Sequence, residues 1–542
     1  METISFTSRR SPVYGRRGMV ATSQTLAVAA GLQALQAGGT AADAAIAAAA
    51  ALNVTEPTST GLGGDAFALY YEAASRRVYA LNGSGRAPHA LTLERLQREG
   101  LGKELPPYHP YTITVPGAAA AWCDLVERFG RLPLAKTLDP AVRLAEEGFP
   151  VAPITSYYWQ RAAGGILSRA LNGRELTLDG CGPRAGEIFR NPGLARTLRY
   201  LAEGGKKAFY VFPIAEAISS AVQEAGGCLM MEDLAMHTST WVEAISTTYR
   251  GLRIYECPPN GQGLAALLAL NLLEGFDVAG MPALSAPRLH LEIEAIRLAF
   301  ADTRAYVADP EFAPAPLEGL LSKEYAAERR KLIDPGRANP DIRHGTPPGS
   351  SDTVYLTVVD AEGNACSFIN SNYMGFGTGI VPRGWGFSLQ NRGHNFSLDP
   401  RSPNVLAPGK RPYHTIIPAL ATHAEDGALY ASYGVMGGFM QPQGHAQVTL
   451  ALVDDGLDPQ AALDRPRTCI EPDDAAGRVS LEEGIDPAVM QQLHDMGHPV
   501  EPVSGMGRSL FGRGQVILRD RASGVLCGGS DPRADGCAMG MG

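Results

Sequence analysis

The stretch DTVYLTVVDAEGNACSFIN, residues 352–370, decides the fold. Its β-branched and aromatic residues flank the turn AEGN, a pattern that predicts a β-hairpin whose first strand opens at Thr353. Residues 334–351 come directly before it and concentrate Pro, Gly and Ser without an apolar period, which predicts a mobile, exposed segment. A cut before Thr353 would give this residue a free α-amine that can act as a base toward its own hydroxyl. The alternative is a purely structural residue, because threonine is common in strands.

The sequence on the N-terminal side of this hairpin predicts helices and the start of a sheet. Residues 22–38 carry apolar residues at helical spacing, and residues 41–53 are almost all alanine, as in a helix that is buried on several sides. Residues 58–88 change to a period of two, which predicts a glycine turn and two strands. Helical patterns then dominate from residue 91 to about 333, in the stretches 116–129, 138–147, 214–225, 263–273 and 288–306.

The sequence on the C-terminal side returns to strands and ends on a second hairpin. It predicts strands at 379–389, 416–420 and 428–435, helices at 446–454 and 487–496, and a closing hairpin at 513–530. Sheet, helices and sheet again indicate stacked layers rather than alternating βαβ units, with the helices of residues 91–333 mostly on the outer layers.

The composition excludes several classes of protein. The 542 residues are 45% hydrophobic and 19% charged, which is ordinary globular usage and excludes wholesale disorder and a coiled coil. The net charge of −9 is opposite in sign to what a phosphate-backbone binder needs, so we expect no nucleic-acid partner. The N-terminus lacks the apolar core of a signal peptide and no run reaches 18 apolar residues, so we expect a soluble, cytoplasmic protein that does not cross a membrane.

The residues that usually hold metals or cofactors are scattered. The eight Cys form no CxxC pair and the eleven His show no ligand spacing, so we expect no metal site. The GLGGD stretch at 61–65 precedes a strand instead of a helix, which argues against a dinucleotide loop. P-loop, HExxH and GxSxG signatures are absent, and we expect no organic cofactor.

A series of motifs in a fixed order carries a resemblance to a known family. The motifs are GMVAT from residue 18, AGGTAADAAIAA from 37, STGLGGDAF from 59, VPG from 115, the hairpin at 352, GFGTGIVP from 375, LQNRGHNFS from 389, PGKRP from 408, GVMGG from 434 and GSDPRADG from 529. From residue 18 to its end, the chain resembles the γ-glutamyltransferase family of N-terminal-nucleophile hydrolases. The resemblance implies an inactive precursor that cuts itself into a large subunit, residues 1–352, and a small subunit, residues 353–542. It also implies an α+β fold, a four-layer αββα sandwich, whose subunit pair is able to assemble into a dimer of heterodimers.

The same resemblance assigns catalytic roles by position. Thr353 would attack the peptide bond after Asp352 during maturation and substrate amides afterwards. Ser371 stands where the family has a second hydroxyl, which would hydrogen-bond the amine or oxygen of the nucleophile; a satisfied strand serine is the alternative. Gly437 and Gly438 match the pair whose backbone N–H groups form the oxyanion hole, a role that suits residues without side chains.

The predicted acyl pocket departs from the family pattern at four positions. Transferases of the family have Gln where this chain has Arg392, and an Asp that meets the substrate ammonium where this chain has Asn395. His414 and Thr415 replace paired serines that bind the substrate carboxylate. The usual carboxylate-binding arginine shifts by two residues to Arg86, which is otherwise a solvated loop arginine. The first two changes add positive charge and disfavour an ammonium group.

These positions predict an autoprocessing amidohydrolase that cleaves amides of a γ-glutamyl-like or related carboxylate-bearing acyl group through an acyl-Thr353 intermediate. The region before the KRP motif is shorter than in transferases with a lid loop, which favours hydrolysis over transfer. Three alternatives remain open: an oxamate-type or glutaryl/cephalosporin amidohydrolase that does not act on glutathione, a glutathione-degrading transferase with a rewired pocket, and an unprocessed binding protein.

Overall fold

The computed structural model describes residues 10–103, 105–339, 352–471 and 477–542. Most of the segment that we expect to be mobile, residues 340–351, lies outside the described residues.

Two seven-stranded sheets, here called the front and back sheets, form the centre of the molecule. The front sheet has the order β19-β2-β10-β11-β3-β4-β7, and the back sheet has the order β1-β18-β17-β13-β12-β9-β8. The strands are β1 Val13–Gly15, β2 Gly18–Thr22, β3 Asp65–Glu72, β4 Arg77–Gly83, β5 Phe149–Pro150, β6 Ile188–Phe189, β7 Thr240–Val242, β8 Ile245–Tyr249, β9 Leu252–Glu256, β10 Asp352–Val359, β11 Ala365–Tyr373, β12 Ala419–His423, β13 Leu429–Met436, β14 Thr468–Ile470, β15 Val479–Glu482, β16 Val500–Val503, β17 Arg513–Arg519, β18 Leu526–Ser530 and β19 Cys537–Met541.

Helices cover the outer face of each sheet. The helices are α1 Thr25–Gln36, α2 Ala41–Thr55, α3 Leu93–Arg98, α4 Ala118–Phe129, α5 Leu134–Glu147, α6 Pro153–Gly164, α7 Ile166–Arg169, α8 Pro192–Tyr210, α9 Ile214–Glu224, α10 Met231–Ala235, α11 Gly263–Leu273, α12 Ala286–Tyr306, α13 Leu317–Leu320, α14 Lys323–Arg330, α15 Met440–Val453, α16 Pro459–Asp464 and α17 Pro487–Asp495. Helices α1, α2 and α4 pack on the front sheet, α11 and α15 pack on the back sheet, and β10 faces β13 and β17 between them. The predicted four-layer αββα sandwich is therefore confirmed.

The alanine-rich helix α2 explains how the front sheet is covered so closely. All of its residues are buried, and it contacts α1, α5, β10 and β11. Small side chains let helix and sheet approach, and Thr40 caps the helix by accepting the Asp43 N–H while the Asp43 carboxylate accepts the Thr40 N–H. The helix therefore packs on the outer face of β10 and β11, the two strands of the central hairpin.

Several predicted elements are confirmed and others are wrong. The hairpin, the two strands in residues 58–88, the Ala-rich helix and the closing hairpin are present. The predicted helix from residue 22 begins at Thr25, because the residues before it form the buried strand β2. The predicted strand at 379–389 is irregular chain, since its glycines adopt positive φ angles that a strand does not contain. Residues 91–333 also supply five short strands, β5 to β9, which the helical patterns did not predict.

Candidate active site

Thr353 lies at the buried start of the central hairpin and faces the back sheet. Along β10 every second side chain points the same way. The hydroxyl of Thr357 donates to Ser432, and a Cβ at Gly434 would meet the ring of Tyr355 at 2.6 Å. Thr353, which is 1% exposed, lies two residues before Tyr355, where the pairing of β10 with β11 shifts register.

A row of polar side chains crosses the front sheet at this level. The Thr353 hydroxyl donates to Oγ of Ser371 at 3.2 Å. Ser371 is paired directly with Asp65 in the antiparallel register of β11 and β3, so the two side chains share one face of the sheet. Three neighbouring strands thus present a threonine, a serine and an aspartate side by side, all of them buried.

Arg392 lies over this row as a buried cation. It begins the 3₁₀ turn Arg392–Asn395, donates from Nη1 to the Thr415 hydroxyl at 2.7 Å, and donates from Nη2 to Oγ of Ser371 at 3.2 Å. Its guanidinium carbon lies 4.5 Å from the ring centroid of Tyr373. Within the described part of the chain, Arg392 forms no ion pair with a carboxylate and its Nε has no hydrogen-bond partner.

Burial lowers the pKa of Arg392 to about 10, so the side chain still carries its charge at neutral pH. The charge of Asp65 offsets the effect of burial only in part, and a buried charge without a directly bonded carboxylate is costly, so a bound anion would reduce that cost. The arrangement therefore offers a site for a carboxylate close to the hydroxyl of Thr353.

Asn395 ends the same turn with one polar atom unused. Its Nδ2 donates to the carbonyl of Tyr413 at 3.1 Å, whereas its Oδ1 has no partner among the described residues. This oxygen is a neutral acceptor, so it brings no charge that would offset Arg392.

His414 is engaged within the protein through both ring nitrogens. Its Nδ1 accepts the N–H of Ile416 at 3.3 Å, and its Nε2 donates to Oδ2 of Asp65 at 3.0 Å. Burial, together with the nearby charge of Arg392, lowers the pKa of His414 to about 3, so the ring is neutral at pH 7.

Asp65 is the acceptor at the centre of a buried network that the sequence did not single out. Its Oδ1 accepts the backbone N–H of Gly85 and Gly117 and the side-chain amide of Gln390, at 2.9, 3.1 and 2.9 Å. A signal was present in the sequence, because an aspartate opens the otherwise apolar strand AFALYY directly after GLGG.

The turn formed by Gly437 and Gly438 follows β13 directly. The two residues have φ angles of 130° and 57°, which favour glycine, and helix α15 begins at Met440. The side-chain amide of Gln262 donates to the carbonyls of Gly438 and Thr415 at 2.8 and 2.6 Å. Gln262, which no sequence motif indicated, therefore ties the glycine turn to the segment that contacts Arg392.

Arg86 lies apart from this cluster. Its guanidinium pairs with Glu311 at 3.2 Å, and no described contact joins it to Thr353, Ser371 or Arg392. The structure thus brings Thr353, Ser371, Arg392 and Thr415 into one hydrogen-bonded chain, with Asn395 on the same turn as Arg392 and His414 beside Asp65.

The described residues show neither a metal-binding cluster nor a membrane-spanning helix. In the described ranges, no group of three or more His, Cys, Asp or Glu side chains is arranged to hold a metal ion. No helix in those ranges is both long enough and apolar enough to span a bilayer.

Comparison with known proteins gives a consistent result over the whole chain. The family described as Gamma-glutamyltranspeptidase matches residues 27–541. The chain is 37% identical to the glutathione hydrolase-like YwrD proenzyme of Bacillus subtilis, covering 98% of this chain and 99% of that protein. It is 33% identical to the oxamate amidohydrolase proenzyme of Klebsiella pneumoniae, covering 96% and 98% of the two chains.

A solved structure shows the same architecture. The cephalosporin acylase from Bacillus halodurans superposes with a TM-score of 0.93 at 46% identity, covering 100% of this chain and 99% of that one. The matches cover the fold, the hairpin at 352 and the glycine turn together, and the chain belongs to the gamma-glutamyltranspeptidase family of N-terminal-nucleophile amidohydrolases.

Proposed function

We propose that the protein is a self-cleaving amidohydrolase that uses Thr353 as its nucleophile and takes acyl groups that carry a carboxylate. The observation that carries the proposal is the chain from the Thr353 hydroxyl through Ser371 to the unneutralised guanidinium of Arg392. A nucleophile and an anion site lie within one hydrogen-bonded unit. Relatives named as proenzymes support a maturation step.

In maturation, the hydroxyl of Thr353 attacks the carbonyl carbon of Asp352 and forms an ester as the peptide nitrogen leaves. Water then hydrolyses the ester, which frees residues 1–352 and 353–542 as two subunits of one heterodimer. Thr353 keeps its hydroxyl and gains an α-amine. That amine is the general base for the catalytic cycle.

In the cycle, the α-amine takes the hydroxyl proton while Oγ1 attacks the substrate amide. The N–H groups of Gly437 and Gly438 would stabilise the oxyanion, a contribution of roughly 3 kcal/mol for each donor. The leaving amine takes the proton, and water hydrolyses the acyl ester to a carboxylic acid. Each turnover therefore regenerates the free hydroxyl and amine of Thr353.

The charge of the pocket selects the acyl group. Arg392 would pair with the substrate carboxylate, while Asn395 supplies no negative charge for an α-ammonium. A glutaryl amide carries the carboxylate alone, whereas a γ-glutamyl amide carries both groups. We therefore favour the amine-free acyl group, with hydrolysis as the main outcome.

The maturation step is tested by intact mass of the purified chain beside Thr353→Ala and Thr357→Ala. The second variant removes a hydroxyl from the same face of the same strand and serves as the control. Wild type and Thr357→Ala should give two fragments that separate before Thr353, and Thr353→Ala should stay whole. An uncut wild-type chain, or a cut Thr353→Ala chain, would contradict the proposal.

The acyl group is tested with glutaryl p-nitroanilide and γ-glutamyl p-nitroanilide, which differ only in the α-ammonium. We expect a kcat/KM at least about 10-fold higher for the glutaryl compound, the effect of roughly 1.4 kcal/mol of unfavourable charge interaction. A preference for the γ-glutamyl compound would contradict the assignment of the pocket.

A further inference from the structure

We propose that Arg392 has a second role: its buried charge lowers the pKa of the Thr353 α-amine in the cleaved enzyme, so that the amine acts as a base at a lower pH than an ordinary N-terminal amine. Arg392 would then be a positioning residue for catalysis as well as a contact for the substrate. This inference rests on the proposed function, because only cleavage frees the amine.

Arg392 and Thr353 lie close together around one serine. Arg392 and Thr353 each contact the same oxygen, Oγ of Ser371, at 3.2 Å. The guanidinium nitrogen and the threonine hydroxyl are therefore at most about 6.4 Å apart, close to the distance at which a like charge disfavours an ammonium. The α-amine is attached to the same residue, so it experiences the same cation.

The compensating negative charge, that of Asp65, lies farther from Thr353. Asp65 lies on β3, two strands away from Thr353, and neighbouring strands are about 4.8 Å apart. Its carboxylate already accepts four donors, from Gly85, Gly117, Gln390 and His414. Because Coulomb energy falls with distance, the nearer cation outweighs the farther anion at Thr353.

The other ionisable groups around Thr353 do not reverse this balance. His414 is neutral at pH 7, and His394 bonds through Nδ1 to the carbonyl of Leu105. Arg411 is a further buried cation, whose Nε donates to the carbonyl of Ser84. Its charge has the same sign as that of Arg392.

On the side of the back sheet, Arg513 is paired with Met436 in the register of β17 and β13 and donates to Glu56 at 3.1 Å. Burial raises the pKa of Glu56 to about 7. Above that pH the pair is neutral, and below it Arg513 adds to the positive field. Above and below pH 7 alike, the pair therefore adds no net negative charge that would raise the pKa of the Thr353 α-amine.

The test is the pH dependence of kcat/KM for glutaryl p-nitroanilide between pH 5.5 and 9. The free enzyme's acid limb reports the amine, and the substrate carboxylate stays ionised throughout. Fully cleaved wild type, Arg392→Lys and Arg392→Gln are compared. For wild type and Arg392→Lys, the acid limb should give a pKa below the ordinary range of an N-terminal amine, about 7.7 to 8.0.

Arg392→Gln should move the limb upward by about 1 pH unit, since the neutral amide keeps a hydrogen-bond donor but removes the charge. Loss of a carboxylate contact alone would lower kcat/KM equally at every pH and leave the limb in place. An unmoved limb in Arg392→Gln would overturn the inference. If Arg392→Gln remains uncut, a pKa of about 7.7 or above from the acid limb of wild type overturns the inference instead. An uncut wild type would mean that the proposed function itself is wrong.

Discussion

At the scale of single residues, Ser371 connects the proposed nucleophile, Thr353, to the proposed anion site at Arg392. Its Oγ accepts from Thr353, from Arg392 and from the N–H of Tyr373 at 2.9 Å. This shared oxygen links the orientation of the threonine hydroxyl to that of the guanidinium, which the Thr415 hydroxyl also holds at 2.7 Å. The geometry between Thr353 and Arg392 therefore depends on Ser371.

Replacement of Ser371 should consequently change catalysis more than folding. Ser371→Ala removes the shared acceptor, and we expect kcat to fall on the order of 10-fold, the kinetic equivalent of one hydrogen bond. Ser371→Thr keeps the oxygen and is the matched control, which should retain most of the rate. The measurement is kcat of the cleaved proteins by steady-state kinetics. Equal kcat values for wild type and Ser371→Ala would show that Ser371 has no role in catalysis.

A second residue-scale prediction concerns Asn395. Asn395→Asp adds a carboxylate on the same turn as Arg392, which should favour an ammonium and weaken a second carboxylate. We expect the ratio of kcat/KM for γ-glutamyl over glutaryl p-nitroanilide to rise by about 10-fold. The glutaryl compound is the internal control, and an unchanged ratio would count against the electrostatic account of the pocket.

Part of the candidate site was indicated by the sequence, and part was not. Thr353 was indicated as a candidate nucleophile because a strand pattern begins directly after a Pro- and Gly-rich linker. Contacts such as Gln262 to Gly438 join residues 176 positions apart, and no local pattern encodes them. His414 was expected among the substrate ligands, yet its environment depends on Asp65, 349 positions away.

At the scale of elements, the glycines of the GLGGD turn allow β3 to begin against β11. A Cβ on Gly64 would lie 2.2 Å from the carbonyl oxygen of Ser371. No rotamer change can relieve that contact, because both partners are backbone or Cβ. The close approach is what holds Asp65 and Ser371 in register.

Gly64→Ala should therefore displace β11 and Ser371 with it. We expect a loss of about 3 kcal/mol of stability, the upper range for overpacking a core, and a fall in kcat. Gly164→Ala is the control, since a Cβ at that position in α6 has no atom within 4 Å. Melting temperatures of the two variants separate the outcomes, and equal values would refute the packing argument.

Element prediction succeeded where one local pattern dominated. The central hairpin alternates in period two around a turn, and the structure has it at β10 and β11. The strands β8 and β9 are five residues each, and their partners include β12, which is more than 150 residues later. Short strands that are stabilised by distant pairing leave little signal in their own sequence.

At the scale of the whole molecule, an ion pair crosses the proposed boundary between the subunits. Glu56 follows α2 and Arg513 opens β17, and they are 457 positions apart in the chain. Ser23 and Gln24 also donate to the Glu56 carboxylate. The pair is buried and would join the two fragments after cleavage.

The protonation of Glu56 makes a prediction for the stability of the assembled protein. Burial raises the pKa of Glu56 to about 7, although Arg513 opposes the shift. An acid whose pKa is raised on folding binds more protons in the folded state between about pH 4.5 and 7, so its contribution to stability falls as pH rises through this window and is constant above it.

The measurement is the melting temperature of wild type and Glu56→Gln from pH 5 to pH 8. Glutamine keeps the shape and cannot ionise, so wild type should lose stability relative to the variant as pH rises to 7, by an amount on the order of 3 kcal/mol in total. Glu362→Gln, at an exposed pair with Arg131, is the control and should show no such trend. If the difference in stability between wild type and Glu56→Gln is the same at every pH, the Glu56 carboxyl does not titrate in this range. The ion pair between Glu56 and Arg513 is then permanently charged.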